Sequence, residues 1–471
     1  MILPLPFDTS YARLPEQMFA FVAPTPVSKP AFIQFNGPLA ERLGLDKETL
    51  QSPDGLACLS GNQVDGTHPP LAQAYAGHQF GNWNPQLGDG RAVLLGEVVA
   101  PDGQRFDIQL KGSGRTPFSR SGDGRAWLGP VLREYIVSEA MHALGIPTTR
   151  ALAAVTTGDP VYRDAILPGA ILTRVASSHI RVGTFQYFAA RQDREALQAL
   201  TDHVTARHYP SAGTVADLLR MIVERQAKLI AKWISVGFVH GVMNTDNMTV
   251  SGETIDFGPC AFLDEYNVAK VFSSIDRQGR YAYGNQPRIG VWNLAQLATA
   301  LIPLEDNQDA AVEEFTRIIN GFGDIYDAER RKIFAAKLGF SAADDATEQL
   351  SNELLTLMAD SEADFTQTFA ALSTDASVAP LDRHASYEDW KARWRALRPD
   401  ETVMQGKNPQ LIPRNHLLEQ IIQSGVAGDF EPFRNMLAAV TAPFSQLTDA
   451  TRPFAAIPLR EERVTQTFCG T

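Results

Sequence analysis

The sequence predicts an α+β protein in two lobes, with a strand-rich N-terminal portion and a helix-rich C-terminal one. Three observations carry that expectation. Residues 91–111 hold a β-hairpin signal, a broad amphipathic helix follows directly, and helical periodicity dominates from about Thr214 onward. A cleft between the two portions is the expected place for a site.

Residues 1–80 mix Pro, Gly and short apolar runs. They read as an N-terminal extension, irregular apart from a few helical turns, that packs on the lobes. The strand-rich lobe is expected over 81–185. Within it, "RAVLLGEVVAPDGQRFDIQLKG" places strands at about Arg91–Val99 and Arg105–Lys111, joined through Pro101-Asp102-Gly103, residues that favour a tight turn. Phe106, Ile108 and Leu110 share one face of the second strand, and Asp107, Gln109 and Lys111 share the other. Lys111 therefore leaves the sheet away from its packed side. Leu128, Val131, Leu132, Tyr135, Ile136, Ala140 and Leu144 mark one face of a helix that Gly145-Ile146-Pro147 stops. Further strands are expected over Ala151–Thr156 and Gly169–Val175. The helical lobe spans 186–471. It contains a long helix (Val215, Leu218, Leu219, Ile222, Leu229, Ile230, Trp233), a chemistry-bearing segment at 240–258, and a C-terminal helical extension.

Composition narrows the function classes. The 471 residues carry a net charge of -12, which argues against extended binding to nucleic acid or an anionic membrane. No apolar run approaches the roughly 18 residues of a membrane span, and the N-terminus lacks the pattern of a secretory or organelle signal. Cys58, Cys260 and Cys469 have no metal-ligand spacing. The expectation is a reduced, cytoplasmic enzyme.

The chemistry concentrates in "HGVMNTDNMTVSGETIDFG", residues 240–258. Asp256-Phe257-Gly258 is the triplet with which protein kinases hold a metal ion, yet Val242 stands where their catalytic loops carry an aspartate. "MTV" and "TI" around Ser251-Gly252 suggest a short hairpin that brings Asn247 beside Asp256. An amide oxygen and a carboxylate suit Mg²⁺ bridging nucleotide phosphates. A strand-borne lysine, Lys111, would neutralise phosphate. Glu134 or Glu139 on the next helix would orient it, and Glu134 is favoured. "GDGR" occurs twice, at Gly88–Arg91 and Gly122–Arg125, and each copy alone reads equally well as a hairpin turn. Their glycines would admit phosphate oxygens to main-chain N–H groups, with Arg115, Arg120, Arg174 and Arg181 adding positive charge. Together these residues make the two-lobed prediction a protein-kinase-like one.

Over nearly its whole length the sequence resembles the selenoprotein O family of protein adenylyltransferases, in the cysteine-containing bacterial form. The matching blocks include "LAQAYAGHQFGNWNPQLGDGRA", "QLKGSGRTPFSR", "LREYIVSEAM", "TRVASSHIRVG", "GFVHGVMNTDNM" and "DFGPCAFLD". The resemblance implies a kinase-like fold that binds ATP in a reversed orientation, transfers AMP to Ser, Thr or Tyr hydroxyls of proteins, and releases pyrophosphate. It further implies nucleotide contacts from Gly88, Gly90, Arg91, Lys111, Asp123, Gly124, Arg174, Arg181 and Asp256, with Glu134 as the lysine's partner. Asn247 and Asp256 would hold Mg²⁺ or Mn²⁺, and Asp246 would accept the proton in place of the aspartate missing at Val242. Outer-sphere metal binding is the competing role for Asp246. The family's C-terminal redox cysteine is matched by Cys469, but the partner cysteine that some relatives carry within "VAKVFSSID" is absent here, where Phe272 and its neighbours stand, so a regulatory Cys260–Cys469 disulfide requires Cys260 to substitute for it. The alternatives are an ATP-dependent phosphotransferase and a non-catalytic nucleotide-sensing pseudokinase. On the first reading, Asp256→Ala abolishes transfer and leaves the fold largely intact.

Overall fold

Eight strands build one antiparallel sheet, β1 (Phe19–Phe21), β2 (Ala31–Phe35), β3 (Leu71–Gln73), and, after a separate small hairpin of β4 (Gly77–Gln79) and β5 (Asn82–Asn84), β6 (Ala92–Val99), β7 (Arg105–Lys111), β8 (Ala126–Trp127), β9 (Arg150–Tyr162) and β10 (Ile166–Ala176). The spatial order is β1-β3-β6-β7-β10-β9-β2, with β8 added on β10. The structure is a computed structural model and describes residues 5–64, 66–374 and 376–468.

The predicted hairpin forms, with Ala92 opposite Lys111 and Val99 opposite Arg105, and a bulge between Leu94 and Gly96 shifts the register by one residue along the way. Gly103, at φ 82°, supplies the left-handed position its turn requires. β1, β2 and β3 lie within the stretch expected to be irregular. They are three to five residues long, and their partners are distant in sequence, so no local alternation marks them.

Both faces of β7 are buried. Ile108 and Leu110 pack with Leu95, Val98 and Val155 beneath three short helices, α1 (Gly37–Arg42), α2 (Lys47–Gln51) and α3 (Pro53–Leu59). Each fully buried aliphatic side chain there contributes about 2 kcal/mol of hydrophobic stabilisation. The opposite face carries Asp107, Gln109 and Lys111 into a buried polar layer. Against that layer stands α4 (Leu128–Ala143), which Leu144 and Gly145 terminate. Its apolar residues belong to the largest core, shared with α5 (Val182–Ala190), α6 (Arg194–His208), α7 (Val215–Ser235) and α8 (Gln286–Leu301). The Thr214 side chain caps α7 by accepting from the Asp217 N–H at 3.1 Å.

After α7 the chain enters β11 (Phe238–Val239), which pairs with β12 (Ala261–Phe262), so the segment between them is a loop closed at its base. The expected hairpin around Gly252 differs. The Thr249 hydroxyl closes its turn by donating to the Glu253 carbonyl at 2.7 Å, but the flanks pair elsewhere, Thr249 with Arg181 and Thr254 with Thr148. Each flank is thereby tied to the sheet side of the molecule.

The C-terminal helices Asn415–Val426 and Glu431–Val440 pack on α4. Arg414, 1% exposed, bridges Asp264 and Asp364, and Asn415 accepts from Arg133 of α4 at 2.7 Å. The C-terminal segment thus braces the helix that carries Glu134. No helix among the described residues is long and apolar enough to cross a membrane.

Lys337 is buried in a separate aromatic core, 4.4 Å from the Phe369 ring centroid and 3.3 Å from the Lys407 carbonyl, and burial lowers its ammonium to about 7. The unfolded chain therefore binds more protons between about pH 7 and the ordinary lysine value, so this group makes stability rise with pH across that window. Lys337→Met is expected to raise stability at pH 7 by a few kcal/mol and to remove that slope. Denaturant melts of both proteins at pH 7 and pH 9 test it, and an unchanged slope would contradict the assignment.

Candidate active site

One cleft of about 610 Å³ gathers residues from β6, β7, β10, the glycine-rich loops and the 240–258 segment. Gly88, Gly90, Arg91, Lys111, Asp123, Gly124, Arg174, Arg181, Asp246, Asn247 and Asp256 all line it. Seven basic side chains face four carboxylates there, a local positive excess in a chain of net charge -12.

Lys111 ends β7 and stands 2.6 Å from Glu134 Oε2 and 2.7 Å from Asp256 Oδ1. Glu139, the other candidate partner, turns away and pairs with Arg150 at 2.7 Å. Arg174 rises from β10, donates to Asp256 Oδ1 at 2.8 Å and to Gln109 Oε1 at 2.6 Å, and lies 3.3 Å from Glu134. Arg181 donates to Asp256 Oδ2 and to the Asp246 carbonyl, both at 2.6 Å, beneath the Tyr75 ring. Asp256 is therefore the hub of three cations. Burial pushes its carboxyl up, but the charges of Lys111, Arg181 and Arg174 outweigh burial and hold it well below the usual range. Its backbone is left-handed at φ 63°, a region aspartate enters more readily than most residues. His240 steadies the approach, its Nε2 lying 2.9 Å from the carbonyl oxygen of Ile255.

Asp246 is 7% exposed. Its Oδ2 accepts from Gln79 Nε2 at 3.1 Å, while Oδ1 is buried without a hydrogen-bond partner. Burial raises its carboxyl to about 6. A Cβ on Gly77 would lie 2.6 Å from that same Oδ1, so only glycine lets β4 approach this closely. Asp89, likewise buried, is raised by burial to about 6 and accepts from the Gln73 N–H and from Gln109.

The loop after Lys111 folds back on itself. Gly114 N–H donates to the Gly124 carbonyl at 3.0 Å, and a Cβ on Gly124 would fall 2.0 Å from the Gly114 oxygen. The first GDGR copy rests on this loop, with the Thr116 hydroxyl donating to the Asp89 carbonyl at 2.7 Å. Asp123 sits at the exposed rim, where the Arg163 fork at 2.9 and 3.0 Å lowers its carboxyl.

Among the described residues no cluster of three or more His, Cys, Asp or Glu side chains forms a ready-made metal cage. The donor set nonetheless suits a hard cation that arrives with phosphates. Asn247 commits its amide nitrogen to the Val242 carbonyl at 3.0 Å, which leaves Oδ1 for a ligand, and Asp256 lines the same cleft. Cys260 is buried, and burial pushes its thiol up to about 11. Cys469, and with it the Cys260–Cys469 pairing, lies outside the described residues.

Sequence reasoning missed Gln79, Tyr75 and Asn244. All three sit in or beside "AYAGHQFG" and "VMNTDN", and only long-range contacts reveal what they touch. Asn244 Oδ1 accepts from the Phe80 N–H at 3.0 Å and the Tyr281 hydroxyl at 2.6 Å, which fixes β4–β5 against the loop that holds Asp246.

An antiparallel sheet, a helical body and a cleft with an excess of cations against the sheet define a mixed α+β protein with a positively charged candidate site. The family model "Protein adenylyltransferase SelO" matches residues 1–441, and the chain belongs to that family. It is 58% identical over 483 residues to the protein nucleotidyltransferase YdiU of Jannaschia sp. (strain CCS1), covering 99% of each chain. It is 53% identical to that of Rhodopseudomonas palustris (strain HaA2) and 54% identical to that of Roseobacter denitrificans, in both cases over 100% of each chain.

Proposed function

We propose that this chain transfers AMP from ATP to Ser, Thr or Tyr hydroxyls of proteins, in a cleft between the lobes of a kinase-like fold. The observation that carries the reading is Asp256, tied at once to Lys111, Arg174 and Arg181 beside a buried carboxylate with an unpartnered oxygen. The three cations would turn from Asp256 to the phosphates of ATP. Arg91 and the main-chain N–H groups around Gly88, Gly90 and Gly124 add donors, and Asp123 works at the nucleotide's outer edge. Glu134 keeps Lys111 extended into the cleft. Asn247 and Asp256 would hold Mg²⁺ or Mn²⁺, which when bound offsets phosphate charge.

In the transfer the acceptor oxygen bonds to the α-phosphorus, the bond from that phosphorus to the β-bridging oxygen breaks, and pyrophosphate leaves. The hydroxyl proton passes to Asp246, whose unpartnered Oδ1 is the receiving atom. Arg174 and Arg181, fixed by Gln109 and the Asp246 carbonyl, are pre-aimed at charge that develops on the phosphoryl oxygens.

Intact-mass analysis after incubation with ATP, Mg²⁺ and a mixed protein acceptor tests the reading. Acceptor masses raised by one AMP unit are expected; a phosphate-sized increment would instead make the protein a kinase.

A further inference from the structure

Beside Asp246, the β4–β5 hairpin faces residues 275–292 across a row of rings that nucleotide binding does not use. His78 lies 4.9 Å from Trp83 and meets Trp292 edge-on at 5.2 Å. The Arg280 guanidinium lies over Trp292 at 4.7 Å and over Tyr281 at 5.7 Å. Trp83 is 40% exposed and Ile275, at the cleft wall, 62%.

Arg280 stands out within this row. None of the carboxylates among the described residues pairs with it, and its Nε is buried without a hydrogen-bond partner. Asp276, the adjacent acid, commits both carboxylate oxygens to the backbone N–H groups of Arg280 and Tyr281, at 2.9 and 2.7 Å. A guanidinium held over an aromatic ring is poorly hydrated and pre-set to take a carboxylate in a two-point grip. Its place relative to the reacting group is fixed by the hairpin. Gln79 donates to Asp246, and two residues on, a Cβ at Gly81 would lie 3.6 Å from Arg280 Cζ. Phe80 and Gly81 form the tight turn between β4 and β5, left-handed at φ 53° and 84°, so a single chain reversal separates the two contacts.

We propose that this surface docks the acceptor polypeptide and that Arg280 selects a segment with an acidic side chain close in sequence to the accepting hydroxyl. The inference rests on the protein-adenylylation reading. Trp83 and Ile275 supply sequence-tolerant apolar contact, and Arg280 supplies the selection.

Fluorescence anisotropy on the full chain with a non-hydrolysable ATP analogue tests it, using labelled Ala-rich peptides with a central Ser and either Glu or Gln at the nearby positions on both sides. The wild type is expected to bind the Glu peptide about five- to tenfold more tightly. Arg280→Gln should erase the preference, Arg280→Lys should retain part of it, and nucleotide affinity should not change in either. Equal affinities in the wild type, a Glu preference that survives Arg280→Gln, or no binding of either peptide overturns the proposal. The same peptides incubated with α-labelled ATP separate the two readings. A preference lost in Arg280→Gln without label on any peptide keeps the docking surface and removes the transferase.

Discussion

Asp256→Ala is expected to abolish AMP transfer and to lower the melting temperature by several degrees. On the proposed reading, the first effect follows from the loss of a residue assigned to the metal and of the carboxylate on which three cations converge, together at least about 10³-fold in rate. The second follows from what the side chain does in the nucleotide-free protein. Lys111, Arg174 and Arg181 are each at least 89% buried and converge on this one carboxylate. Removing it leaves Arg181 with only the more distant Asp89, at 3.9 Å, as an acidic partner. Breaking a buried charge pair from one side costs roughly 3 kcal/mol. This replaces the expectation, drawn from the sequence alone, that the fold would be largely unaffected. Pyrophosphate should restore more of the melting temperature in the variant than it adds to the wild type, because it returns anionic charge to the same cations. Thermal melts with and without pyrophosphate read this out. A variant that melts like the wild type would show that the cations do not depend on Asp256.

Asp246→Asn is expected to lower turnover by about 10²- to 10⁴-fold, the range for loss of a general base, with the apparent KM for ATP little changed. The amide keeps an oxygen for Gln79 but cannot take up a proton at the unpartnered position. Its melting temperature should equal or exceed that of the wild type, since a charge held in a desolvated site is removed. A variant that keeps turnover within a few-fold of wild type, or loses ATP affinity instead, would move Asp246 out of the proton-accepting role.

The parts of the fold that local chemistry determines were legible in the sequence. The β6–β7 turn, the stop of α4 at Gly145 and the length of α7 each depend on neighbouring residues, and each lies within a few residues of expectation. The three strands of the main sheet that precede residue 80 depend on partners far along the chain. Phe19–Phe21, for example, is in the sheet because Leu71–Gln73 lies beside it. The 249–255 turn misled for the same reason, since its flanks find better partners at Arg181 and Thr148 than in each other. In the site, Lys111, Asn247 and Asp256 could be named because their residue types and spacing carry chemistry. Gln79 could not, because a glutamine in a loop acquires meaning only from the buried carboxylate it faces. The choice of Glu134 over Glu139 was a question of helical phase, and Arg150 resolves it by pairing with Glu139.

The most direct measurement uses ATP labelled in turn at the α- and γ-phosphates, with wild type and Asp246→Asn side by side. If Asp246 and the Asp256-centred cations transfer AMP, α-label enters protein in the wild type, falls steeply in the variant, and γ-label leaves as pyrophosphate. Gamma-label retained on the acceptor, or α-label entering equally in both proteins, would contradict that chemistry.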